Sequence, residues 1–162
     1  MTQIILIPIK IKKNHLDPKT MGKILSSFLD KAALSVQDDL AKPAKTWTKQ
    51  PRIIIKSTSF LVREIYTENQ IYQWLNDGTR KNYPIPKNLV GSKMLRFQEG
   101  YKAKTRVRVL GSSGGGKFGK VVFRKRVIHP GITARHWVDE VVKKWERKLP
   151  KDLRNAIKQA DI

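Results

Sequence analysis

The chain has no cysteine among its 162 residues. That excludes disulfides and thiolate metal sites, and it suits synthesis in a reducing cytoplasm. Acidic residues are scarce: 13 Asp and Glu stand against 34 Lys and Arg, a formal charge of +21. No apolar run is long enough to cross a bilayer, so the expectation is no membrane-spanning segment. The opening Met1-Thr2-Gln3-Ile4-Ile5-Leu6-Ile7-Pro8 lacks the basic start and the small-residue cleavage site of a secretory leader, which argues against secretion. Nucleophile motifs are missing too. The three histidines, His15, His129 and His136, do not form the H-E-x-x-H pair in which two ligands share one helix face. Asp139 and Glu140 are helix neighbours that point in different directions, a poor acid–base pair. The reading is therefore of a protein that is not an enzyme, with no catalytic residue, no cofactor and no metal.

What is present points to one folded domain over 1–162. Hydrophobic residues make up 40% of the chain, with four Trp, four Tyr and five Phe, enough for a real core. So large a positive charge repels itself, and a polyanion is the simplest compensation. Nucleic acid comes first, with a membrane surface or an acidic protein behind it.

The periodicities predict an α+β fold: a small antiparallel β-sheet carrying a long N-terminal helix and a C-terminal helix, with a protruding basic β-hairpin. Ile4 to Lys12 alternates as an edge strand, since Pro8 cannot donate to a ladder. Asp17-Pro18 starts a helix whose stripe is Met21, Ile24, Leu25, Phe28, Ala32, Val36 and Leu40, and Pro43 ends it. Lys19, Lys23, Lys31, Asp38 and Asp39 are read as mostly off that stripe. Strands at Arg52 to Lys56 and Phe60 to Tyr66 form a hairpin around Ser57-Thr58-Ser59. A short helix over Asn69 to Asn76 stops at Asp77-Gly78, Tyr83 to Leu89 is extended but irregular, and Met94 to Phe97 is a short strand.

The clearest alternation lies over 100–128. Tyr101, Ala103, Thr105, Val107 and Val109 share one face; Lys102, Lys104, Arg106 and Arg108 share the other. The return strand, Lys120 to Ile128, adds Lys120, Arg124 and Arg126, and no acid falls between Lys102 and Arg126. Surfaces usually mix both signs, so this ribbon, with Lys117 at its tip, is the candidate partner-facing or nucleic-acid-facing surface. The tip Gly111 to Gly119 imitates a phosphate-binding loop and a dinucleotide fingerprint. Both need a helix N-terminus directly afterwards, and the chain continues instead as a strand, Lys120-Val121-Val122-Phe123.

The helical region over 134–162 buries Trp137, Val141, Trp145 and Leu149, with Thr133 as the expected N-cap and Pro150 kinking the helix or starting a second piece. Trp74 is read as a core or subunit-interface residue. Trp47 sits in a polar connector, where the role of exposed docking anchor is open to it. His129-Pro130-Gly131 is a turn that aims the helix back across the sheet, with the His129 ring bonding to nearby backbone.

Taken in order, Tyr72 with Gly78-Thr79, Ile85-Pro86-Lys87, the basic hairpin, and His129-Pro130-Gly131 leading to Trp137 resemble the tail-completion (neck, head–tail joining, minor tail) family of tailed bacteriophages. The match covers roughly the second half of the chain. It implies a structural virion protein forming a cyclic homo-oligomer, hexameric or dodecameric. Its partners would be head–tail connector or adaptor proteins and a tail-tube or tail-terminator protein, with transient contact to phage DNA. Location would be the neck or tail of the virion, assembled in the bacterial host cytoplasm. In that setting Lys102, Lys104, Arg106, Arg108, Lys120, Arg124 and Arg126 would line the channel or face the adjoining ring, while the Gly78-Thr79 loop and the His129-Pro130-Gly131 turn would hold the fold or a ring contact. The competing expectation is a basic nucleic-acid-binding protein of the architectural or ribosome-associated kind, which would lose about 10³–10⁵ in affinity between 50 and 200 mM salt.

Overall fold

The computed structural model describes residues 17–85, 94–100, 105–111 and 119–160. Helix α1 (Pro18–Ala41) starts where the sequence puts its cap: the Asp17 carboxylate accepts from the amides of Lys19 at 2.8 Å and Thr20 at 3.2 Å, with Pro18 at the first helical position. It ends at Ala41 and tightens into a 3₁₀ turn, Lys42–Ala44, that takes Pro43 and Ala44 into the interior. The hairpin β1 (Ile54–Ser59) and β2 (Val62–Tyr66) comes next. Its turn is Phe60-Leu61 rather than Ser57 to Ser59, because a bulge between Ser57 and Ser59 shifts the register.

Beyond the hairpin lie α2 (Gln70–Asp77), β3 (Tyr83–Pro84), β4 (Leu95–Gln98), β5 (Val121–Arg124), β6 (Ile128–His129) and α3 (Trp137–Ala160). Asn69 caps α2 by accepting from the Tyr72 amide at 2.9 Å, and Gly78 ends it at φ 80°. The class is α+β. Helix α1 packs along α3 and lies against β1 and β2. The core joins Ala32 and Leu40 of α1, Ala44, Ile53 and Tyr72 to Trp137, Val141, Trp145 and Leu149 of α3, which recur every fourth residue.

Several expectations are corrected. Among the described residues there are three two-stranded antiparallel ribbons, β1–β2, β3–β6 and β4–β5, in place of one sheet. The return strand pairs with β4 (Leu95↔Arg124 through Gln98↔Val121), and among the described residues it has no pairing with the cationic segment. It also breaks at Lys125 to Val127 before β6.

The alternation around 105–109 is not a strand. Val107 and Arg108 form a turn, Arg108 has φ 55°, and its amide donates to the Arg135 carbonyl at 2.7 Å. The Trp137 indole N–H reaches the Arg106 carbonyl at 3.4 Å, and Thr105 is buried. This backbone is committed to the start of α3, which leaves it no strand partner.

Helix α3 begins at Trp137, so Thr133 is not its cap. It also runs through Pro150 as one 24-residue helix, so Pro150 does not begin a second piece. Buried Leu149 and Leu153 on either side outweigh the single ladder bond that proline removes. The expected strand at Ile4 to Lys12, Pro86 and Lys87, Lys102 and Lys104, and residues 112–118 of the glycine-rich tip, Lys117 among them, lie outside the described residues.

Candidate functional site

Two of the stretches that carry the resemblance, the Gly78-Thr79 loop and the His129-Pro130-Gly131 turn, meet in space. Thr79 donates its amide to the Ile132 carbonyl at 3.0 Å, and Ile132 returns its amide to Thr79 Oγ1 at 2.9 Å. The crossing is tight enough to need glycine twice. A Cβ on Gly78 would stand 2.8 Å from the Ile132 carbonyl oxygen, and one on Gly131 would stand 2.9 Å from the carbonyl oxygens of both Thr79 and Arg80. Both glycines have positive φ, 80° and 83°.

His129 Nδ1 accepts the Gly131 amide at 2.9 Å, the ring-to-backbone bond that the sequence suggests, so the ring proton sits on Nε2. The imidazole stacks on Tyr83, its partner across β3–β6, with centroids 4.9 Å apart. The Ile85 amide extends this pairing to the Val127 carbonyl at 3.0 Å. Two segments some fifty residues apart in sequence thus close into one clasp.

The clasp also sets the start of α3. The Asn76 carbonyl accepts from the amides of Arg135 at 3.0 Å and His136 at 3.1 Å, and its side-chain oxygen accepts the Val138 amide at 3.0 Å. One buried amide on α2 therefore supplies the N-terminal cap of a helix sixty residues later. Below it Trp47, Tyr72 and Trp137 form a run of tilted rings, 6.3 and 5.4 Å between centroids. Trp47 is thus half-buried in the core margin and is no exposed anchor. The Tyr72 hydroxyl donates to the Leu40 carbonyl at 2.8 Å, and burial pushes its phenol well above the ordinary range.

Asp39, read from sequence as off the stripe, is buried between α1 and α3. It accepts from Lys42 at 2.6 Å, from Lys144 at 2.5 Å and from the Trp145 indole at 2.8 Å. Burial alone would raise its carboxyl pKa; the three hydrogen bonds outweigh that and hold it below 3.8. The signal was available: Asp39 lies three residues after Val36 and seven after Ala32, on the same helix face, and a buried indole needs an acceptor.

The predicted cations do not share one strand face. Arg106 and Arg108 flank the turn beside α3, Lys120 and Arg124 bracket β5, and Arg126 lies between β5 and β6; all five are exposed. A second set escaped the sequence reading. Lys143, Arg147, Lys151, Arg154 and Lys158 are exposed along α3. Their spacing, i, i+4, i+8, i+11 and i+15, was the missed signal, hidden behind the stronger Trp pattern of the same helix.

Among the described residues no group of three or more His, Asp or Glu side chains could hold a metal ion. None of their helices is long and apolar enough to cross a membrane. Set against protein-family models, curated protein sequences and solved structures, the chain matches none.

Proposed function

We propose that this chain is a structural subunit of a tailed-phage neck or tail terminus. It would act as a closed ring that joins tail to head connector, with a basic surface near the DNA path. One observation carries the reading: the Gly78-Thr79 loop and the His129-Pro130-Gly131 turn, matched to the family only by order and spacing, cross so closely that Thr79 exchanges hydrogen bonds with Ile132, the residue after the turn, and neither Gly78 nor Gly131 has room for a Cβ. A motif of this kind serves architecture rather than chemistry. Large apolar groups left outside the core support a subunit role: Phe123 is 54% exposed, Ile128 57%, Phe60 60% and Ile71 57%. Trp74, 46% exposed on α2, fits the subunit-interface role better than a core role. In a cyclic assembly such surfaces would meet their counterparts on the next copy.

Electron microscopy of the purified protein, alone and mixed with connector and tail-tube proteins, tests the proposal. Rings of six or twelve copies that join those components are expected. A protein that stays monomeric with every component would overturn it, as would magnesium-dependent hydrolysis abolished by one carboxylate substitution.

The second reading, an architectural or ribosome-associated nucleic-acid-binding protein, is favoured by the exposed cations of α3. It needs no ring.

A further inference from the structure

The cations of α3 form an organised surface. At 100° per residue, Lys143, Arg147, Lys151, Arg154 and Lys158 fall within an arc of about 80°, and they span about 22 Å along the axis. The arc lies largely opposite Val141, Trp145 and Leu149, which are buried against α1. The acids of this part of the helix, Glu146 and Asp152, lie off the arc, and Asp152 bonds Lys148 at 3.4 Å. Glu140, one turn earlier and on the same arc, holds Lys143 at 3.3 Å in a partly exposed pair of little energetic weight. Arg154 spends one N–H on the Pro150 carbonyl and keeps its charge. Arg147, Lys151 and Lys158 have no acidic partner among the described residues.

Successive cations on the arc are about 4.5–6 Å apart along the axis, inside the screening length of about 8 Å at physiological salt, so they repel one another unless an anion is present. They are also held rigidly. Trp137 and Trp145 anchor the helix in the core, and Lys144 is tied to Asp39. The two indoles are 0% and 3% exposed, so this helix has no aromatic face on which an unpaired base could stack.

We infer that the Lys143–Lys158 face of α3 docks on the sugar-phosphate backbone of double-stranded nucleic acid, without reading its sequence. Five phosphate contacts from one rigid helix give affinity through released counterions and orient the duplex along the helix. This surface shares no residue with the 102–126 segment, and the inference does not depend on ring assembly. Rings without duplex binding would leave the structural proposal standing, and duplex binding without rings would leave this one.

The test is fluorescence anisotropy with a mixed-sequence DNA duplex of about 24 base pairs between about 50 and 200 mM salt. Five contacts predict a slope of about −4.5 in log affinity against log salt, a fall of roughly 500-fold over that range. Replacing Arg147, Lys151, Arg154 and Lys158 by Gln should reduce the slope to about −1 and weaken binding at about 50 mM by at least about 100-fold. Its circular dichroism and melting should stay those of the parent, since all four residues are exposed. A companion variant with Arg106, Lys120, Arg124 and Arg126 changed to Gln should keep the parent slope. The inference is overturned if the α3 variant keeps the parent slope, if the companion loses it instead, or if oligo-dT binds more tightly than duplex. Polyglutamate competing as well as duplex at equal charge would overturn it in favour of an acidic protein partner.

Discussion

Asp39 concentrates the energetics of the helix pair in one side chain. Changing it to Asn removes the charge and one of the two oxygens that Lys42, Lys144 and the Trp145 indole share, while Lys42 and Lys144, 49% and 43% exposed, can still turn to water. Asp39→Asn should therefore cost about 2–3 kcal/mol, below the loss expected when both charges of a pair are buried. Thermal unfolding should drop by roughly 5–10 °C. The pH dependence comes from the lowered carboxyl pKa. A group whose folded value lies below its unfolded value contributes stability that is whole above the unfolded value, near 3.8, and lost as pH falls through the folded one. The gap between parent and Asp39→Asn melting temperatures should stay constant from neutral pH to about pH 5 and close below about pH 4; a gap that widened in acid would contradict this assignment.

Between elements, the clasp and the cap it supplies hold α2 to the start of α3. Gly131→Ala would place a methyl against two carbonyl oxygens in a left-handed backbone, and should cost at least about 2 kcal/mol in denaturant unfolding. Asn76→Ala should cost about 1–2 kcal/mol and raise hydrogen exchange at the Val138 amide more than at amides in the middle of α3. What sequence revealed at this scale was local. Asp17-Pro18 and Asn69 each act within a few residues, as does Gly78 in ending α2, and the Trp137–Val141–Trp145 repeat needs only its own period. What it concealed was choice among distant partners. The alternation from Thr105 to Val109 is genuine, yet Arg108 bonds to Arg135 and Trp137 reaches Arg106, so the segment supports a helix instead of a ladder. Likewise Val121 to Arg124 has strand character, but nothing local names Leu95 to Gln98 as its mate.

Across the whole molecule the charge of +21 opposes compactness. Raising sodium chloride from about 0.05 to 0.5 M should lift the melting temperature by several degrees, since screening weakens the self-repulsion of the folded state more than that of the expanded chain. A melting temperature that fell with salt would mean attractive pairs such as Asp39 with its lysines dominate instead. The core has a further consequence for synthesis. Four of its nine buried residues, Trp137, Val141, Trp145 and Leu149, come from the closing helix. Translation delivers them after the other five, so the finished first hairpin waits roughly seventy residues for its counterpart, and α1 longer still. A ribosome that stalls before Trp137 would release a polypeptide with its early elements spelled out and no interior to gather them.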